Sequence, residues 1–284
     1  MMLFPITLLV VFQYVPLYGI QVAFKDYKPI ENIWDAKWVG FQYFVRFFQY
    51  KGLRTLLKNT LILNIYNILL TPFPLIFALS IHYSPFRRLK KWIQTVSVIP
   101  NFFSIVVVCE LTMRFFSIDG SLNFIRSLFG KEPVNFLAQG KLFSSIYAWS
   151  GVWQTCGYSA IIYLSVLANI SKEQREAATI DGANLFQKMI YLDIPGVLPM
   201  YAVNLIFQCG SLLNNNFEKI LLLQNNMNLP YSQVILTYTY DIAFNSIVPQ
   251  YSLAMAVGII TSIINMTLLL TVKYIVKKWE DINE

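Results

Sequence analysis

The chain has 284 residues, of which 56% are hydrophobic and only 13% are charged, and its mean hydropathy is +0.51. Soluble domains carry about 25% charged residues, and a soluble chain of this length could not bury so much apolar surface in one core. The composition therefore excludes a soluble enzyme, a disordered regulator and a secreted disulfide scaffold. The net charge of +7 comes from short cationic clusters between apolar segments, a pattern typical of a polytopic membrane protein and not of nucleic-acid binding.

Six apolar stretches are long enough to cross a bilayer as helices, which takes about 20 residues. They are Met1–Phe24, Asn59–Phe86, Trp92–Cys109, Leu142–Ser171, Ile194–Phe217 and Ile242–Val272. The first lacks the cationic start and the small-residue cleavage site of a signal peptide, which favours a spanning helix. A further stretch, Ile220–Tyr240, contains too many amide side chains for lipid and is predicted to be a loop. The predicted fold is an all-α integral membrane domain with six transmembrane helices over residues 1–284, with a core at about 55–275.

The density of cations predicts the orientation in the membrane. The connections 82–91 and 172–193, together with the tail after Val272, hold ten Lys and Arg residues in about fifty positions, whereas the other connections hold ten in about ninety. The denser side is predicted to be cytoplasmic, and an even number of spans then places both termini there. The outer connection 25–57 is rich in aromatic residues, which favours a short interfacial helix.

Residues that could support catalysis or bind a metal are sparse. One histidine, His82, and three separated cysteines do not form a zinc-binding pattern, and no phosphate-binding glycine loop is present. We therefore predict no catalytic residue, no metal ligand and no cofactor in this chain. The ionisable residue inside a span is Glu110, four residues before Arg114, which indicates an i,i+4 ion pair more than a proton site. Uphill transport would thus take its energy from a partner.

The connection 171–199 carries the most specific pattern in the chain. Ser171 and Gln174 have capping-box spacing and predict a short helix over 173–180. Gly182 then offers the backbone freedom for a turn, and the apolar periodicity of 184–192 predicts a second amphipathic helix. Physically, this is a compact helix-turn-helix that faces the cytoplasm and offers small and acidic residues for contact with a partner.

This connection resembles the EAA loop of binding-protein-dependent ABC importer permeases, the MetI-like family. The matching residues are Glu176, Ala177, Ala178, Asp181, Gly182 and Ala183, followed by Pro195 and Pro199, the two prolines being predicted to start the next spanning helix. In that family the loop is a coupling helix that lies in a cleft of a cytoplasmic ATPase subunit. The resemblance implies that the first six residues couple the chain to such an ATPase, through a loop at about 171–199.

Further segments resemble the carbohydrate branch of that family, in particular permeases of the lipoprotein-B/polygalacturonan type. These segments are 14–19, 23–27, 38–41, 161–164 and 216–223. The resemblance implies a transport subunit, not an enzyme, of a bacterial inner-membrane importer for oligosaccharides, with uronic-acid-containing sugars as one candidate class. The implied partners are a second permease subunit in a heterodimer, two ATPase subunits that bind ATP and Mg²⁺, and an extracellular solute-binding protein.

Two polar stripes are predicted to form the substrate path. One consists of Asn204, Gln208, Ser211 and Asn215, and the other of Ser150, Gln154 and Tyr158 with Trp153 beside it. Their spacings of three and four residues place each stripe on one helical face. Resemblance to maltose-type permeases implies substrate contacts at Gln154, Tyr158, Gln208, Ser211 and Asn215.

Two alternatives stay open at this point. The polar stripes could instead make hydrogen bonds between helices, as polar residues in membrane spans commonly do. The whole chain could instead be an integral membrane enzyme or a lipid-linked transferase acting at the outer interface, although its outer carboxylates are scattered.

Overall fold

Helices account for nearly all regular structure in the computed structural model, which describes residues 2–213 and 216–283. The α-helices are α1 (Leu3–Leu9), α2 (Gln42–Phe48), α3 (Leu53–Leu69), α4 (Pro72–Tyr83), α5 (Arg87–Val98), α6 (Ile105–Phe116), α7 (Ser121–Leu128), α8 (Phe143–Asn169), α9 (Lys172–Ile180), α10 (Leu185–Lys188), α11 (Ile194–Gly210), α12 (Phe217–Leu223), α13 (Leu229–Ser232), α14 (Ile235–Tyr240) and α15 (Tyr251–Asn283). Two short antiparallel strands, β1 (Lys25–Asp26) and β2 (Lys37–Trp38), pair with Lys25 opposite Trp38.

Among the described residues, four helical runs are long and apolar enough to cross a membrane. They are Leu3–Phe24, Leu53–Tyr83, Leu185–Gly210 and Tyr251–Lys278. A bent pair, Arg87–Phe102 and Ile105–Leu128, would make a fifth. Helix α8 has 27 residues, but its Ser, Gln, Trp and Tyr residues lower its hydropathy. By length and composition the described residues thus contain four or five such helices, where the sequence predicts six.

The predicted third span, Trp92–Cys109, is broken and not a straight helix. The chain bends by 105° between the helical segments Arg87–Phe102 and Ile105–Leu128. Pro100 lies in the 3-10 turn that ends the first part, and Ser104 caps α6 by accepting a hydrogen bond from the Val107 N–H at 3.4 Å. Proline removes a backbone donor and serine is a preferred N-cap, so the chain starts a new helix at this point.

The stretch Ile220–Tyr240, predicted to be a loop, folds as the three short helices α12, α13 and α14 and lies partly in the core. Val234 and Asn228 are fully buried. The Asn228 amide donates hydrogen bonds to the carbonyl oxygens of Leu137 and Leu223. The stretch forms no candidate span among the described residues, as predicted, but it is not a plain loop, because neighbouring backbone satisfies amide groups that lipid would leave unpaired.

Pro195 lies in the first turn of α11, as predicted, but neither proline separates that helix from the one before it. Helix α10 continues through a π-helical turn, Met189–Asp193, directly into α11, and Pro199 lies inside α11. A proline removes one helical hydrogen bond, and a π-helical turn is a local adjustment by which membrane helices tolerate it. One helical run therefore extends over Leu185–Gly210 and includes most of the predicted amphipathic helix 184–192.

Helix α8 is the centre of the bundle and packs against α3, α4, α5, α6 and α11. Around its second half, buried side chains from α4, α8 and α11 form one apolar cluster, consisting of Ala78, Leu79, Ala160, Tyr163, Leu167 and Val197. On the outer connection, α2 supplies the predicted short helix, and Trp34, Trp38, Phe41 and Phe48 expose most of their surface. This arrangement brings the two predicted polar stripes, on α8 and α11, onto neighbouring helices.

Helix α5 reaches α8 closely only because residue 157 is a glycine. A Cβ atom at Gly157 would lie 2.0 Å from the carbonyl oxygen of Ser97. We expect Gly157→Ala to lower the free energy of unfolding by about 1–3 kcal/mol, as overpacked cores do, and to lower the thermal midpoint of the purified chain in detergent. The matched control is Gly258→Ala in α15, where a Cβ would have no neighbour within 4 Å. Equal midpoints for the two variants would contradict the close approach.

Candidate functional site

A polar cavity of about 520 Å³ lies between α3, α4, α8 and α11 and the start of α12. Its polar lining consists mainly of amide and hydroxyl side chains, which are Asn64, Asn67, Thr71, Tyr147, Gln154, Thr155, Ser159, Tyr163, Asn204, Gln208, Ser211 and Asn216. Its volume is within the range of about 300–1,000 Å³ found for ligand-binding cavities. The mixture of apolar walls with many donors and acceptors suits a ligand that carries hydroxyl groups.

The residues predicted for the substrate path divide into three groups. Gln154, Asn204, Gln208 and Ser211 line the cavity. Trp153 and Tyr158 lie on α8 outside that lining, with 48% and 50% of their surface exposed. Asn215 lies outside the described residues. The structure therefore brings together both predicted helices but only part of each predicted stripe.

The hydrogen bonds of the cavity residues bear on the alternative of interhelical bonding. The Asn204 amide donates to the Tyr163 hydroxyl at 3.2 Å and so links α11 to α8. The Gln154 amide donates to the Phe103 carbonyl oxygen at 3.4 Å. Among the described residues, the Gln208 side chain has no hydrogen-bond partner. Asn204 thus does hold two helices together, whereas Gln208 is available to a ligand.

Several lining residues were missed by the sequence reasoning. Asn64 and Asn67 lie three residues apart on α3 and line the cavity, a spacing that could have marked a third polar stripe in an apolar run. Lys219 on α12 also lines it, although its side chain is only 4% exposed. Lys219 belongs to the segment 216–223, which the sequence analysis used only for its resemblance to the carbohydrate branch, and no local pattern there indicates that the lysine reaches a cavity.

The EAA segment folds as a helix, a tight turn and a second helix. Ser171 accepts a hydrogen bond from the Gln174 N–H at 3.4 Å and caps α9, as predicted. The turn contains Gly182 with φ +79°, a conformation that favours glycine. Asn184 and Gln187 then form a reciprocal capping box, with both hydrogen bonds at 2.8 Å. Each end of the turn is therefore fixed by local hydrogen bonds.

The six predicted coupling residues lie at the end of α9 and in this turn. Four of them are exposed, namely Glu176, Ala177, Asp181 and Gly182, and the other two, Ala178 and Ala183, are half-buried. The exposed surface of the turn therefore presents two carboxylates beside small side chains, an arrangement that allows another protein to approach closely.

A buried carboxylate ties the EAA segment to the bundle. Asp193 is completely buried; its Oδ1 lies 2.6 Å from Nη2 of Arg175 on α9, and its Oδ2 accepts a hydrogen bond from the Tyr83 hydroxyl on α4. Arg175 also donates to the Leu167 carbonyl oxygen on α8 at 3.2 Å. Breaking a buried pair strands a charge and typically costs about 3–5 kcal/mol, so α9 is held firmly to α4, α8 and α11.

The predicted ion pair on α6 is present. Arg114 Nε lies 2.7 Å from Glu110 Oε1, and both side chains are well exposed. An exposed i,i+4 pair contributes little to stability. The ion pair with Arg114 is therefore sufficient to account for a carboxylate at position 110.

Comparisons with known proteins agree with this architecture. Residues 70–281 match the family described as "Binding-protein-dependent transport system inner membrane component". Protein LplB of Bacillus subtilis (strain 168) is 36% identical over 95% of this chain and 85% of its own length. The polygalacturonan/rhamnogalacturonan transport system permease protein YteP of the same bacterium is 33% identical, over 94% and 84%.

A solved structure also matches. It is the crystal structure of a bacterial ABC transporter involved in the import of the acidic polysaccharide alginate; one of its chains aligns with a TM-score of 0.90 and 32% identity, over 98% of this chain and 93% of that one. The family consists of transport subunits that are not themselves enzymes, so the alternative of a membrane enzyme is not supported. The predicted membership is confirmed: this chain belongs to the MetI-like family of binding-protein-dependent inner-membrane components, as a permease subunit of an ABC importer.

Proposed function

We propose that this chain is one of two permease subunits in an importer for oligosaccharides. The complete assembly would contain a second, similar permease, two cytoplasmic ATPase subunits and an extracellular solute-binding protein. ATP and Mg²⁺ would be bound by the ATPases. Two relatives support the substrate class: YteP is described as a polygalacturonan/rhamnogalacturonan permease, and the alginate transporter was also solved with an alginate pentasaccharide-bound periplasmic protein.

The proposed topology has six spans with both termini in the cytoplasm. The four long apolar runs and the bent pair supply five of them. Helix α8 supplies the sixth, since 27 helical residues extend for about 40 Å at 1.5 Å per residue. The EAA segment then lies on the cytoplasmic side, where α9 and the turn after it act as the coupling helix.

The observation that carries the substrate proposal is the polar cavity between α8 and α11, the two long helices that the EAA segment joins. A sugar that leaves water must exchange the hydrogen bonds of each hydroxyl group. Amide and hydroxyl side chains such as Gln154, Gln208 and Ser211 line the cavity and can replace them.

The coupling proposal follows from the Asp193 cluster. Motion of the ATPases would act on the exposed turn at Glu176–Ala183. Arg175 and Asp193 connect α9 to α4, α8 and α11, which are three of the helices that enclose the cavity. A rigid displacement of α9 would therefore shift the cavity walls and switch access from one side of the membrane to the other.

The assembly can be tested by gentle solubilisation of the tagged chain from its native membrane. We expect an ATPase and a second permease to co-purify in stoichiometric amounts, identified by mass spectrometry, and we expect the loaded binding protein to stimulate ATP hydrolysis by the reconstituted complex. Recovery of this chain alone, under conditions that preserve other membrane complexes, would contradict the proposal.

The coupling role can be tested with matched proline variants. Gly182 and Gly130 both have positive φ values, +79° and +68°, and the N–H of each donates one hydrogen bond within its own turn. Proline fixes φ near −65° and removes that donor, so Gly182→Pro and Gly130→Pro distort their turns to a similar extent. We expect Gly182→Pro to abolish most sugar uptake while the complex still assembles and hydrolyses ATP. Uptake that falls equally in both variants would argue against a coupling role for the turn.

The substrate path can be tested at Gln208. We expect Gln208→Leu to raise the apparent KM for sugar uptake two- to tenfold, because a hydrogen bond to a ligand contributes about 0.5–1.5 kcal/mol. Gln13→Leu, in the first helical run and outside the cavity, is the control and should leave KM unchanged. An unchanged KM in Gln208→Leu would remove this residue from the path.

A further inference from the structure

Lys219 is a buried cation without an acidic partner among the described residues. Its side chain is 4% exposed. The ion pairs found among the described residues are Glu110–Arg114 and Arg175–Asp193, and neither includes Lys219. The Lys219 ammonium donates a hydrogen bond to the Tyr147 carbonyl oxygen at 2.9 Å and lies 5.0 Å from the centre of the Tyr147 ring. The carbonyl dipole and the ring face of Tyr147 thus stabilise the ammonium in place of a carboxylate.

Burying a lysine side chain in this way is unfavourable in free energy. Taking an ammonium group out of water costs several kcal/mol even after relaxation, and an apolar side chain of similar volume often gives equal or greater stability. Ionisable residues inside a membrane bundle therefore generally mark a functional site. The packing of α12 does not require Lys219, because Ile220 and Leu223 already hold this helix in the core.

The ammonium group lies at the wall of the polar cavity. Lys219, Asn216 and Gly151 all line it. Gly151 has no side chain to separate the cavity from the ammonium, and a Cβ atom there would lie 3.2 Å from Lys219 Nζ. Since the described lining includes no Asp or Glu, Lys219 makes the potential in this part of the cavity positive.

We propose that Lys219 is a specificity-determining residue that binds a carboxylate of the transported sugar, so that the cavity selects oligosaccharides containing uronic acid. An ammonium group has three donors, of which the Tyr147 carbonyl uses one. A sugar carboxylate at Gly151 would accept another as a charge-assisted hydrogen bond and would supply the counter-charge that the described residues lack at this site. This inference rests on the proposed function, in which the cavity is the oligosaccharide path.

The test uses the complete complex, reconstituted in vesicles with its partner subunits and a saturating amount of binding protein. The probes are trigalacturonate and an alginate trisaccharide, each compared with its methyl ester, in which the carboxyl groups are neutral. For the wild type we expect uptake of an acid to exceed that of its ester. In Lys219→Met, uptake of the acid should fall about 10- to 100-fold, the range for a lost hydrogen bond to a charged group, and uptake of the ester should change little.

Three further variants separate recognition from structure. Lys219→Arg should retain most uptake of the acid, because the positive charge is kept. Gly151→Val keeps the lysine but should reduce the preference for the acid, because a side chain whose Cβ lies 3.2 Å from Nζ would cover the ammonium. Lys141→Met removes an exposed lysine before α8 and should leave the acid-to-ester ratio unchanged.

The outcomes distinguish this inference from the proposed function. If Lys219→Met lowers uptake of acid and ester equally, or changes neither, or if the wild type prefers the esters, the role of Lys219 is overturned while the oligosaccharide importer stands. If the wild type transports none of the four sugars with its binding protein, this inference is overturned, and uptake of neutral oligosaccharides then decides whether the proposed function stands.

Discussion

Inside an apolar helical bundle, a polar group that finds neither a partner nor water is costly, and this constraint governs most of the structure. Asn228 is completely buried and donates to two backbone carbonyl groups. Asp193, also completely buried, binds Arg175 and Tyr83. Polar side chains of α3, α8 and α11, among them Gln208, face a common cavity in which a ligand could hydrogen-bond to them. The same physical requirement thus produces both the fixed contacts of the bundle and its candidate transport path.

The Asp193 cluster gives this constraint a mechanical consequence. A carboxylate placed at the junction of three long helices and α9 cannot lose its partners without a large cost, so these elements are expected to move together. The EAA turn, by contrast, is held by local hydrogen bonds and exposes its carboxylates. A rigid connection behind an exposed contact surface is what a subunit needs if it is to convert motion of a partner into motion of its own helices.

Much of the fold and part of the site can be predicted from sequence, and the failures have identifiable causes. Hydropathy locates the long apolar runs. It does not predict the bend near Pro100 or the continuation of α10 into α11, because both depend on how the structure accommodates prolines. Helical spacing places Gln208 and Ser211 on one face. It could not decide that Tyr158 falls outside the cavity, since that depends on the rotation of α8 against its neighbours.

The sequence by itself determined the class of the protein, the EAA segment with its Ser171 cap and glycine turn, and the pairing of Glu110 with Arg114. Each of these depends on composition or on residues within a few positions of one another. Only the tertiary structure decided that Asp193 joins α9 to α4, and that Lys219 reaches the cavity wall beside Gly151. Those contacts join residues far apart in the chain, and helix packing, which no local pattern encodes, brings them together.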